Sequence, residues 1–109
     1  MPPDAVATFA QRVKDAWSMA GREGMPRIVA LVYFGLGDIE KQSQRNILHY
    51  YEPMGQDIAR MIADGVLRSP DAIRSAMQAY QEAGVDELIF DASVPDPAQV
   101  ELLAEVALP

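Results

Sequence analysis

The chain has no cysteine, which excludes disulfides and thiolate metal sites and is in keeping with a reducing compartment. It has a single histidine, His49, and a histidine without a second one or an acidic cluster at helical spacing is a poor metal ligand. No apolar run approaches the ~20 residues of a membrane-spanning helix. The amino terminus lacks the basic-then-apolar order of a secretory leader. These absences make a cytoplasmic protein with no membrane partner and no metal the expectation. Basic residues are also scarce where it matters: residues 69–109 carry only Arg74 against Asp71, Glu82, Asp86, Glu87, Asp91, Asp96, Glu101 and Glu105. Residues 1–68 balance, so the net charge of −7 belongs to the last two-fifths of the chain. No basic stripe offers itself to a phosphate backbone, and nucleic acid is excluded as an expected partner.

What is present reads as alternating helix and strand. Asp4 can cap a helix whose stripe is Val6, Phe9, Val13, Trp17 and Ala20, ended by Gly21, Gly24 and Pro26. Trp17 is the natural core anchor of that stripe. Ile28 to Phe34 are apolar or aromatic without a break, so Arg27–Phe34 reads as a strand buried on both faces, the habit of a parallel sheet. Gly35-Leu36-Gly37-Asp38 follows. It has the Gly-x-Gly of a phosphate loop, but Glu40 stands where the third glycine belongs, and a tight turn ending in an Asp cap explains the same residues.

A helix is expected from Asp38 to about Tyr51, broken by Pro53 and Gly55. A shorter one follows, with Ile58, Met61, Ile62 and Val66 on one face. Ser69, Pro70 and Asp71 open the next helix by cap, fixed φ and dipole, and its face is Ile73, Ala76, Met77 and Tyr80. Gly84 stops it. Val85–Asp91 is the second strand, and Asp96-Pro97 opens the last helix, where Gln99 can close a capping box. That helix carries Val100, Leu103, Ala104 and Ala107 on one side, with Leu102 and Val106 beside them.

The order helix, strand, helix, helix, strand, helix requires parallel strands. It makes residues 1–109 a single α/β domain or barrel fragment: a helix in 1–25, a strand plus helices in 26–65, and helix-strand-helix in 66–109. Two parallel strands do not bury two faces. The missing neighbours must come from a larger α/β barrel or from another copy of the chain.

Ser69-Pro70-Asp71-Ala72-Ile73, Ala83-Gly84-Val85-Asp86-Glu87-Leu88, Pro95-Asp96-Pro97-Ala98-Gln99 and Leu102-Leu103-Ala104-Glu105-Val106 together resemble the carboxyl end of luciferase-like monooxygenases. The resemblance is clearest over residues 66–108. It departs from the family's pattern at Arg68, where glycine is usual. It implies a partial TIM barrel in which Arg27–Phe34 and Val85–Asp91 are the seventh and eighth strands. It also implies FMN or a deazaflavin as cofactor of the complete enzyme, held chiefly by upstream strands, so that this chain alone is expected to bind none and to be inactive. In such a barrel the site lies at the carboxyl ends of the strands. Phe34, Gly35, Leu36 and Gly37, then Asp91, Ala92 and Ser93, are therefore the candidate pocket residues, with no catalytic or cofactor-binding role assigned to any of them. Two other readings stand beside this one: a non-catalytic module that self-associates through its strand edge, and a small enzyme completed at a dimer interface through His49 or Asp91.

Overall fold

Five α-helices and two strands alternate along residues 1–109, all described by the computed structural model. They are α1 (Pro3–Met19), β1 (Val29–Phe34), α2 (Glu40–Tyr50), α3 (Gln56–Asp64), α4 (Pro70–Glu82), β2 (Glu87–Ala92) and α5 (Ala98–Ala107), with a 3-10 turn at Glu52–Met54. Three helices, α2, α3 and α4, separate the strands; each has its counterpart in the sequence, although the order helix, strand, helix, helix, strand, helix counts only two there. The break between α3 and α4 falls at Gly65–Arg68, where Leu67 leaves helical geometry to form a parallel bridge with Phe34. The strands pair in one two-stranded sheet. Glu87 N–H donates to Ile28 O and Ser93 N–H to Phe34 O, so the pairing advances along both strands together and is parallel. No helix is long and apolar enough to cross a membrane. The chain divides into two compact units, and the division falls within both strands.

The first unit comprises Met1–Leu31 and Ser75–Ile89. Helix α1 opens without a side-chain cap; Asp4 sits in its first turn rather than capping it, because Pro2 and Pro3 already fix the entry. Its buried residues are Val6 and Ala10, whereas Phe9 is exposed. Trp17 is half-buried rather than a core anchor. The turn after α1 lays the Arg22 guanidinium 3.7 Å from the centre of its ring, and the indole N–H donates to Glu23 O at 3.1 Å. Tyr80 donates to Met1 O at 2.8 Å and fixes the amino terminus. Gly84, at φ +89°, ends α4 in the left-handed region. Asp86 then accepts from Ile28 N–H at 2.8 Å through its carboxylate, and Arg27 pairs with Glu87. Alternate residues of this part of the sheet are open to solvent: Val29 is 48 % exposed, Leu31 51 % and Ile89 42 %. The expectation of a strand buried on both faces therefore fails here, since nothing in the chain covers that face.

The second unit comprises Val32–Arg74 and Phe90–Pro109. Ile47, Ala63 and Val66 form a buried cluster, with Tyr33, Leu48, Tyr51 and Ile62 packed against it. The inward positions of α3 are Ala59 and Ala63, while Ile58 and Met61 are exposed, a rotation from the expected face. Small side chains let α3 lie close against α2. Phe34 and Phe90 meet edge to face with ring centres 6.1 Å apart. Ser69 caps α4 as expected, its hydroxyl accepting from Ala72 N–H at 3.1 Å. Asp38 does not cap α2; Ile39 holds the cap position, and its N–H donates to Gly37 O within the turn. Asp96 accepts from Ala98 N–H at the start of α5. Gln99 forms no capping box. It turns inward, which sends Val100 to solvent.

Ile73 is 0 % exposed and Val100 66 % exposed. Ile73→Ala should cost about 2–5 kcal/mol in urea denaturation, and Val100→Ala should stay within about 0.5 kcal/mol of the parent.

Candidate functional site

The carboxyl end of β1 is held on both sides. Leu67 N–H donates to Tyr33 O and Gly35 N–H to Leu67 O, each at 2.9 Å, while Ser93 N–H donates to Phe34 O at 2.8 Å. The Ser93 hydroxyl also donates to Phe34 O, at 2.9 Å. A hydroxyl has one proton, so in its 2.6 Å contact with Ser43 the Ser93 oxygen accepts and Ser43 donates. Ser43 in turn accepts from Arg68 Nε–H at 3.1 Å. The result is one directed chain, from Arg68 to Ser43 to Ser93 to the Phe34 carbonyl. Asn46 donates its amide N–H to Ser93 O at 3.1 Å. Arg68 donates a second bond to Gln44, whose amide reaches Asp64 at 3.2 Å. Gln99 clasps Leu36 twice, accepting from its N–H at 2.8 Å and donating to its carbonyl at 2.9 Å.

Ser43, Ser93 and Gln99 are buried, and no buried side-chain polar atom lacks a partner. A satisfied buried network of this kind fixes the strand ends rather than reacting. Neither serine has an imidazole or carboxylate partner to act as its base, so neither is an activated nucleophile. Nor do any three His, Asp or Glu residues gather as a metal-binding group.

The sequence candidates separate into two sets. Phe34, Gly35, Leu36 and Ser93 are buried in or beside the network. Gly35 is there because nothing larger fits: a Cβ would lie 2.7 Å from the Ser93 hydroxyl and 2.8 Å from Ile39 Cδ1. Gly37 is exposed, in a left-handed turn at φ +83°. Asp91 is exposed and lines a depression of 470 Å³ with Tyr33, Asn46, Tyr50, Ala92 and Ser93. His49 borders that depression but is solvent-exposed and lies 3.8 Å from Glu52. A larger open groove of 960 Å³ runs between α2 and α3, lined by Lys41, Arg45, Leu48 and Arg60. None of the strand-end candidates lies in it.

Tyr33 and Tyr51 share a hydrogen bond of 2.6 Å between their hydroxyls, with the rings edge to face. Burial, then the Tyr51 hydrogen bond, then negative charge including Asp91, raise the Tyr33 pKa above the ordinary 10.0. Sequence reasoning missed this pair, as it missed Ser43, Asn46, Arg68 and the clasp of Gln99. One signal was available: Ile39, Ser43 and Ile47 are spaced by four, which puts Ser43 on the buried stripe of α2.

The residues around the depression do not suit a flavin's phosphate. They include no lysine or arginine, and their one carboxylate is Asp91. No family model, curated protein or solved structure matches the chain.

Gly35→Ala should lower stability by about 1–3 kcal/mol, because the new methyl displaces a hydroxyl committed to two neighbours. A urea midpoint equal to the parent's would contradict that packing. A second prediction concerns pH. A raised folded-state pKa favours neutral Tyr33, so its contribution is whole below the ordinary value of 10.0 and is lost as pH rises through the folded value. Urea titrations at alkaline pH should show this loss, and Tyr33→Phe should remove the tyrosine's share of it. In a tyrosinate absorbance titration, Tyr51→Phe should bring the Tyr33 transition down only in part, since burial is the larger cause.

Proposed function

We propose that this chain is the carboxyl-terminal portion of a luciferase-like oxidoreductase dependent on FMN or a deazaflavin. In that reading β1 and β2 are two strands of a TIM barrel, and the depression at their carboxyl ends is one wall of its binding site. The carrying observation is the open apolar sheet face at Val29, Leu31 and Ile89. A parallel pair with apolar residues left in water is what remains of a sheet whose other strands lie elsewhere. The side-chain chemistry supports the same division of labour. A cofactor's phosphate would be held by other parts of the enzyme, and this chain would contribute a rigid strand-end wall. The whole enzyme would be cytoplasmic.

The open strands also support a second reading, a non-catalytic module that self-associates by covering the same face with another copy. An antibody raised against residues 69–108 separates the two in lysates of the source cells. The first reading expects a polypeptide well beyond 109 residues that retains flavin or deazaflavin absorbance on purification. The isolated 109-residue chain should remain colourless with either cofactor and show no oxidation activity. A native polypeptide of 109 residues that sediments as a colourless oligomer would overturn the first reading in favour of the second. A colourless monomer would overturn both.

A further inference from the structure

We propose that the depression beside Asp91 binds a small organic cation, an ammonium or amidinium carried on an aromatic body. The inference rests on reading the strand ends as a wall of a binding site, and it names the class of ligand that wall selects. The lining carries one carboxylate, Asp91, and no lysine or arginine, with Tyr33, Asn46, His49, Tyr50 and Ser93 as its other polar side chains. Asp91 forms none of the chain's ion pairs, which join Arg27 to Glu87, His49 to Glu52 and Arg74 to Asp71. Asn46 spends one of its two amide N–H groups on Ser93 O, and its own carbonyl oxygen accepts nothing from the chain. The Ser93 hydroxyl proton is committed to Phe34 O.

A depression that offers an unpaired carboxylate and an amide oxygen, with no lysine or arginine in its lining, disfavours anions and favours a ligand with several N–H groups. Its walls add a second selection. Tyr33 is held by Tyr51, and the Tyr50 ring lies edge to face on Tyr51 with centres 5.0 Å apart. Aromatic rings beside a carboxylate suit a cation that carries a flat apolar body. The volume of 470 Å³ accommodates a single substituted ring.

The test is a ¹H–¹⁵N titration of whichever polypeptide the antibody detects, with benzylamine, benzyl alcohol and benzoate as probes. These share one ring and differ in charge. Benzylamine should give saturable shifts at Asp91, Ala92 and the Asn46 side-chain amide, with benzyl alcohol weaker and benzoate absent. Asp91→Asn should weaken benzylamine about fivefold, whereas Asp91→Glu, which keeps the charge, should retain most of the binding. Tyr50→Leu should weaken it about threefold. Both positions are exposed, so the variants should keep the parent's spectral dispersion. Shifts centred elsewhere, benzoate binding as well as benzylamine, or an Asp91→Asn variant that binds like the parent would each overturn the proposal. That result would leave the size and colour of the native polypeptide untouched, so the two readings fail separately.

Discussion

The Phe34 carbonyl accepts two hydrogen bonds, one from the backbone and one from the hydroxyl of Ser93, and the arrangement of the second unit follows from that double acceptance. With its proton spent there, Ser93 can only accept from Ser43, and Ser43 can only accept from Arg68. Each group is therefore needed by the next. Removing one leaves a buried neighbour unpaired, at about 1–3 kcal/mol, which is comparable to the whole contribution of a buried methyl or two. The chain of bonds sets the rotation of α2 through Ser43, the path before α4 through Arg68, and the end of β2 through Ser93. Gly35 is the space this convergence requires.

The amino ends of the strands are held by a different chemistry. In the first unit, Asp86 bonds the backbone of Ile28 and Arg27 pairs with Glu87, both at exposed positions. Such contacts set register but are screened by water and contribute little to stability. Their bond partners are interchangeable with solvent, whereas those of Ser43 and Ser93 are not. Geometry precise enough to position a ligand is therefore found where the network is buried, at the carboxyl ends.

Legibility in the sequence divides along the same physical line. Helix starts and stops that depend on neighbouring residues were readable: Ser69 caps α4, Gly84 ends it, and the apolar run after Arg27 is a strand. Rotation about an element's axis was not. Phe9 and Val100 belong to plausible apolar stripes and yet face water, because partners distant in sequence decide which side turns in. Gln99 illustrates the mechanism, since its two bonds to Leu36 span 63 positions and outweigh the apolar pattern of α5. Ser43 was hidden for a related reason. A polar residue within a helix reads as solvent-facing until its buried partners are known. For the candidate site, Asp91 and Ser93 could be named as strand-end residues, but their opposite fates, one open and one locked, depend on Asn46 and Ser43 from another helix.

That difference constrains what the strand ends can do. A serine pair whose protons point along a satisfied chain has no base to ionise it and no open lone pair directed at a substrate. The network's contribution is stiffness, which holds Asn46 and the backbone around Asp91 in one arrangement. The Asp91 carboxylate and the Asn46 carbonyl keep unspent capacity to accept, and the lining around them holds no lysine or arginine. Neutral Tyr33, kept protonated by burial and by its bond to Tyr51, adds an aromatic wall without a charge of its own. Recognition is therefore the chemistry these residues can perform unaided. In the larger sheet we propose, a stiff wall that carries an unpaired carboxylate would orient a cationic ligand.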